Sequence, residues 1–288
     1  MGDTLVRRLL RWLVYLLASL LGVGAFLYPF FAREAGAEAV GAAASPVFLT
    51  VLGGLSLVAL LLETQGEATA DAKRIALLGV LIGLNAALSF LETALPGPGG
   101  FSPVFFLIIL GGYVFGHRSG FLLGSLTLFV SALITGGVGP WLPYRMLVAG
   151  WIGMTAPFVG LLVRRLRAQA RPAEIVILAA FGGLWGLAFG ALMNLWFWPF
   201  ATGAADQHWQ VGLGLRETAQ RYLAFYVTTS LVWDLARAVG TAAMLVVFGR
   251  PTLRTLWRFQ RRFEFQVIAT VDGAVTGDDA ASVAEVHA

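Results

Sequence analysis

Residues 103–135 read PVFFLIILGGYVFGHRSGFLLGSLTLFVSALIT. The stretch contains two apolar runs, 103–116 and 121–135, which only His117–Gly120 separates. A continuous helix over all of it would be about 50 Å long, more than one membrane crossing needs. Such a helix would also bury the charge of Arg118 in lipid, at a high cost in free energy. The stretch therefore predicts two short membrane helices joined by a tight cytoplasmic turn.

The rest of the 288-residue chain is equally apolar, with 58% apolar and only 12% charged residues. A soluble protein of this length could not bury so many apolar side chains and still cover its surface. The chain has no cysteine, which excludes disulfide and thiolate chemistry. We therefore predict an all-α polytopic membrane protein. Its eight apolar runs lie at about 9–31, 46–62, 75–95, 103–116, 121–135, 146–163, 174–200 and 219–248.

The basic residues predict the orientation of these spans. With the N-terminus in the cytoplasm, the outer segments carry only Arg33, Arg145, Arg216 and Arg221, and Arg237 lies within a span. The cytoplasmic segments carry Arg7, Arg8, Arg11, Lys73, Arg74, Arg118, Arg164, Arg165, Arg167, Arg171, Arg250, Arg254, Arg258, Arg261 and Arg262. Because cytoplasmic loops are enriched in Lys and Arg, we expect a multi-pass protein of the cell membrane with both termini in the cytoplasm.

Three further segments need separate interpretation. The basic start and Ala35–Ala37 resemble a signal peptide, but the apolar stretch is long for one and favours a retained span. Pro251 can open a helix, and the arginines that follow it predict an amphipathic segment on the inner membrane surface. The tail from Thr270, rich in Ala, Asp and Gly, is predicted to be disordered.

The sequence lacks the motifs of common enzyme classes. The single lysine, Lys73, has no phosphate-binding GxxxxGK[ST] motif around it. The three histidines, His117, His208 and His287, are far apart, and Ser125 lacks the GxSxG spacing of a serine hydrolase. We therefore predict a non-enzymatic chain without catalytic residues, a metal site or a cofactor of its own.

Small residues recur at steps of four in two places. Gly79, Gly83 and Ala87 form one such face in the third run, where another helix can approach closely. That helix could belong to this chain or to a separate membrane subunit. A second ladder, at Gly112, Gly116, Gly120 and Gly124, crosses the predicted turn, and close internal packing is favoured there.

Two ionisable residues, Asp234 and Arg237, lie three positions apart in the last predicted span. Charges at that depth are expensive unless they are paired, and this spacing lets them meet on one helix face. The pair is predicted near the middle of the membrane. A structural ion pair and a proton or ion relay are both compatible with the sequence.

The outer loops carry aromatic and turn-forming residues. The loop within 135–145 presents Trp141, Tyr144 and Arg145 among glycines and prolines, and the next outer segment presents Asn194, Trp198 and His208. These residues either form the interfacial aromatic belt or line an outward-facing binding pocket. The pocket hypothesis assigns substrate contacts to Glu92, Phe101, Trp141, Tyr144, Arg145, Asn194, Trp198 and His208.

The chain resembles a known family, the substrate-specific S components of energy-coupling factor (ECF) transporters. The resemblance rests on Phe115–Gly124, on Thr135–Arg145 and on Trp233–Gly240, and covers about residues 75–248. His117 stands where the family commonly has Pro, and Thr241 where it often has Asn. The resemblance implies a six-helix substrate-binding core at 75–248, two extra transmembrane helices with a linker at 1–74, and a cytoplasmic segment at 249–288.

The resemblance also implies a function. S components capture a vitamin outside the cell and dock onto a transmembrane scaffold (T) subunit that carries two ATPases, which use the ATP. By position, Gly79, Gly83 and Ala87 match the docking face of the family. The GGVGPWLP stretch at 136–143 is similar to that of S components grouped with cobalamin uptake, which implies cobalamin or a related corrinoid. The alternatives are an autonomous secondary transporter or channel using Asp234 and Arg237, and a lipid-modifying membrane enzyme.

Overall fold

The structure, a computed structural model, describes residues 2–34, 47–48, 50–55, 68–94, 102–167, 172–201, 203–204 and 206–272. These residues form helices and the turns between them. In chain order the helices are α1 (Gly2–Glu34), α2 (residues 47–48 and 50–55), α3 (Ala68–Ala94), α4 (Val104–Phe115), α5 (His117–Thr135), α6 (Leu142–Arg165), α7 (Pro172–Phe197), α8 (Leu215–Thr229) and α9 (Leu231–Asp272), with a 3-10 turn at Trp198–Phe200.

Most of these helices have the length and composition of membrane spans. Five of them, within α1, α5, α6, α7 and α9, are long and apolar enough to cross a bilayer. The apolar parts of α3 and α4 are shorter, at Ile75–Phe90 and Val104–Phe115. The prediction of an all-α polytopic membrane protein is confirmed.

The hairpin predicted from residues 103–135 is present, with its turn at a single residue. Gly116 links α4 to α5 with a φ of 92°, a backbone conformation that glycine adopts without steric cost. The two helices then fold back on each other, with Gly111 facing Leu123. His117 belongs to α5 instead of the turn, and its Nδ1 lies 2.7 Å from the carbonyl oxygen of Met154 on α6.

Glycines let the α4–α5 hairpin pack backbone to backbone against α6. A Cβ atom at Gly112 or Gly120 would overlap the carbonyl of Gly153, and one at Gly124 would overlap the carbonyl of Ala149. Close approach of this kind is how small residues stabilise helix pairs in lipid. The predicted internal packing of this ladder is confirmed at these three glycines, whereas Gly116 forms the turn.

Buried polar side chains join α3 to the hairpin and α5 to α6. Asn85 is fully buried and donates a 2.9 Å hydrogen bond from Nδ2 to the carbonyl of Val104 at the start of α4. Ser131 of α5 and Ser89 of α3 are hydrogen-bonded at 2.5 Å. Ser125 of α5 donates to the carbonyl of Met146 on α6 at 3.0 Å. These bonds satisfy the amide N–H of Asn85 and the serine hydroxyls, which would otherwise be costly in an apolar core.

The N-terminal helix α1 runs antiparallel to α6. At the end of the bundle that the charge distribution predicts to be cytoplasmic, the Trp12 ring lies 5.9 Å from that of His117. At the opposite end, which is predicted to face outward, the Phe26 ring lies 5.1 Å from that of Tyr144, at the start of α6. This direction agrees with an N-terminus on the same side of the membrane as the α4–α5 turn.

The last apolar run corrects two predictions. Residues 219–248 were predicted as one span, but the chain bends at Ser230, which separates the more polar α8 from α9. In addition, α9 continues through Pro251 to Asp272, so that proline does not open a separate helix. Leu253 and Leu256 are buried against the core, and these contacts hold the helix together despite the missing N–H of the proline.

The continuous α9 also covers the beginning of the predicted disordered tail. Thr270 is helical, and the helix ends at Asp272. The prediction of disorder is therefore wrong for residues 270–272. The rest of the tail lies outside the described residues.

We predict that Gly124→Ala destabilises the fold by about 1–3 kcal/mol, because the added Cβ would collide with the α6 backbone, which cannot move aside cheaply. Gly24→Ala on α1 is the matched control, since a Cβ there meets no atom within 4 Å. Thermal unfolding of the purified protein in detergent measures both effects. Equal unfolding temperatures for the two variants would contradict the close packing of α5 on α6.

Candidate functional site

The loop between α5 and α6 has a defined shape at the outer end of the bundle. Gly136 ends α5 with a φ of 68°. The indole Nε1 of Trp141 donates a 3.2 Å hydrogen bond to the carbonyl of Gly137, and its ring packs over Gly139, where a Cβ would overlap it. Trp141 nevertheless keeps 42% of its surface exposed. The loop therefore presents one face of this indole outward while its own contacts fix the ring.

Tyr144 and Arg145 lie in the first turn of α6 and have different environments. Arg145 is exposed, like Trp141 four residues earlier, and this spacing places the two on the same side of the helix start. Tyr144 is only 1% exposed. Its ring lies 5.1 Å from those of Phe26 and Phe48 and 4.8 Å from that of Trp196.

The predicted contacts at the end of α7 are also separated from one another. Trp198 is 1% exposed and donates from Nε1 to the carbonyl of Gln207 at 2.8 Å. Its ring lies 5.1 Å from that of Tyr222 on α8. Asn194 faces α9 instead, where its Nδ2 donates to the hydroxyl of Ser230 at 2.6 Å.

The five central residues of the predicted pocket therefore do not converge on one open cavity within the described part of the chain. Trp141 and Arg145 are exposed together, whereas Tyr144 and Trp198 are covered. Asn194 lies on the α9 side of α7, away from Tyr144. The α7 residue that contacts Tyr144 is Trp196, which lies two positions from Asn194 and so on a different face of the helix.

The remaining predicted contacts have other positions. His208 organises the loop before α8, with its Nδ1 2.9 Å from the carbonyl of Ala204 and its Nε2 2.9 Å from Nε2 of Gln210. Glu92 lies in the last turn of α3, and its side chain is outside the described residues, as is the whole of Phe101. Over the described ranges, no three His, Asp or Glu side chains come together in a way that could hold a metal ion.

Asp234 and Arg237 form an ion pair between Oδ1 and Nη1. Asp234 is 3% exposed and lies in the first turn of α9, within the candidate membrane span Leu231–Arg261. An aspartate there interacts favourably with the positive end of the helix dipole. Gly190 of α7 leaves the space for the carboxylate, since a Cβ at that position would overlap it. The Arg237 guanidinium lies 5.5 Å from the centre of the Phe189 ring.

This ion pair belongs to a larger group, the outer polar cluster, which consists of Asn194, Tyr226, Ser230, Asp234 and Arg237. Tyr226 lies on α8, outside the spanning segments. Burial raises the pKa of its phenol to about 12, and the neighbouring Asp234 carboxylate acts in the same direction. Tyr226 is also a side-chain hydrogen-bond partner of the Asp234 carboxylate. The cluster therefore fixes the junction of α7, α8 and α9 at the outer end.

The sequence did not connect Asn194 with the ion pair, although a signal was present. Gly190 and Asn194 are four residues apart and lie on one face of α7. That face packs on α9, because Gly186 contacts the backbone of Ala238 and Gly190 contacts Asp234. A row of glycines that ends in an asparagine thus marks the helix face that meets the ion pair.

The small-residue face of α3 lies on the outside of the described bundle. Gly79, Gly83 and Ala87 are exposed, and a Cβ at either glycine would meet no atom within 4 Å. The core-facing side of α3 carries Leu81, Ile82, Asn85 and Ala86. No contact among the described residues therefore supports the alternative in which this face packs within the chain.

Comparison with known proteins adds one finding. A family model, "ECF transporter, substrate-specific component", matches residues 73–248. The match begins just before the apolar part of α3 and ends within α9, so α1 and α2 lie outside it. Neither the curated proteins nor the solved structures contain a match to this chain.

We predict that Asp234→Ala lowers the stability of the protein by about 1–3 kcal/mol, since it leaves the charge of Arg237 uncompensated within a candidate membrane span. The double variant Asp234→Ala/Arg237→Ala should be less destabilised than the single one if the pair is purely structural. Thermal unfolding in detergent measures both. Glu217→Ala provides the control, because its ion pair with Arg221 is on the exposed surface and contributes little. A double variant that folds normally but no longer supports transport would instead assign the pair a mechanistic role.

Proposed function

The chain belongs to the family of ECF transporter substrate-specific components, and on that premise we propose that it captures cobalamin or a related corrinoid at the outer membrane surface. Family membership makes it a membrane subunit of a transporter. The observation that carries the assignment is the match over residues 73–248, which covers the helices from α3 to the spanning part of α9. The proposal of a corrinoid as the substrate rests on the resemblance of residues 136–143 to S components grouped with cobalamin uptake.

The proposed first contact for the ligand is the surface formed by Trp141 and Arg145. The indole offers a flat apolar face that its bond to Gly137 already orients, which limits the entropy lost on binding. Arg145 supplies hydrogen-bond donors and positive charge beside it. A corrinoid carries amide groups and, in cobalamin, a phosphate, and both can accept hydrogen bonds from a guanidinium. A few polar groups beside an aromatic surface are typical of small-molecule sites.

The other predicted substrate contacts are also proposed, each on different grounds. Tyr144 and Trp198 are covered by other aromatic rings, and Asn194 belongs to the outer polar cluster. His208 lies in the α7–α8 loop on the same side of the membrane. For Glu92 and Phe101 the support is their position next to the α3–α4 connection, which also faces outward in the eight-span topology.

The proposed partner is the T subunit of an ECF transporter, bound at the face of α3 that contains Gly79, Gly83 and Ala87. The glycines leave room for a second helix to approach the α3 backbone. The sequence has no nucleotide-binding motif, which agrees with ATP being used by two partner ATPases. The proposed division into 1–74, 75–248 and 249–288 is supported at its first boundary by the start of the family match at residue 73, whereas α9 runs through the second boundary.

Two measurements test the proposed substrate. Native mass spectrometry of the protein purified from its source should detect a retained corrinoid, and isothermal titration calorimetry should detect binding of cyanocobalamin. A different retained vitamin would replace the corrinoid and keep the S-component assignment. Uptake into vesicles that contain this chain alone, without partner subunits or ATP, would instead identify an autonomous transporter.

We predict that Gly83→Leu abolishes co-purification with the T subunit, because the leucine prevents close approach of a partner helix. Binding of cyanocobalamin to the isolated variant should stay at the wild-type level. Gly24→Leu is the matched control, since it places the same side chain at another open position. Undiminished co-purification of Gly83→Leu would remove this face from the docking surface.

We predict that Trp141→Ala and Arg145→Ala each weaken cyanocobalamin binding by roughly 1–3 kcal/mol, as expected for a central aromatic or arginine contact. Calorimetry on the purified variants measures the loss. Trp233→Ala is the control, because this tryptophan is exposed on α9 with 57% of its surface outside the proposed site. Wild-type affinity in the Trp141→Ala/Arg145→Ala double variant would show that these residues do not contact the ligand and belong only to the interfacial aromatic belt.

A further inference from the structure

The part of α9 that follows the family match carries a row of exposed arginines. Residues 250–262 read RPTLRTLWRFQRR and contain no aspartate or glutamate. Arg250, Arg254, Arg258 and Arg261 recur at steps of three or four, and all four side chains are exposed. Residues at these steps lie on one side of a helix. We call this row the α9 arginine stripe.

The stripe continues the side of α9 that faces lipid in the apolar part of the helix. Val239 and Val246 are exposed within the candidate membrane span Leu231–Arg261, so their side chains contact lipid tails. They precede Arg250 by about three turns and by about one turn, which places all three on the same side. The side of α9 that contacts lipid tails therefore becomes basic at Arg250.

The length of α9 places this change at the membrane boundary. From Leu231 to Arg250 the helix is about 29 Å long, and the hydrocarbon core of a bilayer is about 30 Å thick. A helix that enters the hydrocarbon region at Leu231 therefore leaves it near Arg250. The Cα–Cβ bonds of a helix tilt toward its N-terminus. The arginine side chains beyond this boundary consequently point back toward the lipid headgroups.

Contacts with the core fix the rotation of this segment. Leu253 and Leu256 are buried in the hydrophobic core. The Trp257 ring lies 6.2 Å from that of Tyr113 on α4, and the Tyr113 hydroxyl donates a 2.7 Å hydrogen bond to Oε1 of Glu174 at the start of α7. Because one side of the segment is held on α4, the arginines on the other side stay directed at the surrounding lipid.

We propose that the α9 arginine stripe is a binding site for the phosphate groups of anionic phospholipids. A guanidinium can donate two parallel hydrogen bonds to one phosphate. The stripe lies at the end of the bundle that the charge distribution predicts to be cytoplasmic, and the cytoplasmic leaflet is negatively charged. Continuity with the lipid-facing valines favours lipid over an acidic protein surface as the occupant. The site goes beyond the proposed function and depends on neither the corrinoid nor the T subunit.

Native mass spectrometry of the full chain in detergent tests the site. The protein is titrated with dioleoyl phosphatidylglycerol and with dioleoyl phosphatidylcholine, which have the same acyl chains but differ in charge. The wild type should bind the anionic lipid more tightly. In the variant Arg250→Gln/Arg254→Gln/Arg258→Gln/Arg261→Gln, binding of phosphatidylglycerol should weaken about ten-fold or more, whereas binding of phosphatidylcholine should not change.

The matched control removes three other exposed arginines, at the end of α6. Arg164→Gln/Arg165→Gln/Arg167→Gln should change the affinity for phosphatidylglycerol by less than two-fold. An equal loss in both variants would show an effect of net charge alone and would overturn the stripe as a site. Equal affinity of the wild type for the two lipids would overturn it as well.

Thermal unfolding in detergent shows whether the four-fold variant is folded. If it is not, Arg250→Gln/Arg254→Gln, which changes the two arginines nearest the boundary, takes its place. This variant should weaken binding of phosphatidylglycerol about three-fold or more, and wild-type affinity would overturn the proposal.

Two further measurements distinguish the lipid from other occupants. Calorimetry with inorganic phosphate should detect no binding, and saturable binding would identify a site for the free ion instead. Co-purification of the four-fold variant with the T subunit should equal that of the wild type. Loss of co-purification with unchanged binding of phosphatidylglycerol would assign the stripe to a protein partner and overturn the lipid site.

Discussion

The contact between the backbones of α5 and α6 at Gly120, Gly124, Ala149 and Gly153 is the constraint on which the rest of the structure depends. Helices in lipid gain little from hiding apolar surface from each other, because lipid is as apolar as their side chains. Close packing must therefore provide the stabilisation, and glycine permits the closest approach. This contact fixes the separation of α5 and α6. It thereby sets the span of the loop between them, which carries Trp141 and leads into Arg145.

The same requirement explains why α1 and α3 have different neighbours although both carry small residues. On α1, the side chain of Leu147 fills the space beside Gly22, and aromatic contacts one or more turns away on either side continue the packing of α1 on the core. On α3, none of the described residues fills the positions beside Gly79 and Gly83, and the exposed neighbours are apolar side chains such as Val80 and Leu84. A stripe of small residues indicates that another helix can approach the backbone closely. The aromatic and polar residues beside the stripe determine whether the approaching helix comes from the same chain.

These differences account for what the sequence could and could not predict. Local rules predicted the α4–α5 hairpin, because a long apolar stretch interrupted by His117 and Arg118 has few alternatives in a membrane. The pairing of Asp234 with Arg237 followed from their spacing. The break between α8 and α9 at Ser230 did not follow from the sequence, because it depends on how α8 packs on α7 and α9, which continuous hydropathy does not show. The prediction that Pro251 opens a separate helix was wrong for a related reason. The tertiary contacts of Leu253 and Leu256 outweigh the loss of one backbone hydrogen bond at the proline. The separation of Tyr144 from Asn194 depends on helix rotation, which sequence spacing within one loop does not specify.

Helices α1 and α3 lie on different sides of the bundle, so α1 can pack on the core without covering the proposed docking face of α3. Helix α3 packs on α5, whereas α1 packs on α6. The glycine contact between α5 and α6 therefore lies between α3 and α1. The position of α1 on the α6 side leaves the exposed face of α3 uncovered by the described residues. Because α1 contacts the core from His117 to Trp198, any rigid movement of the core in the membrane must carry α1 with it. The N-terminal helix is therefore part of the same packed body as the helices that the family model matches.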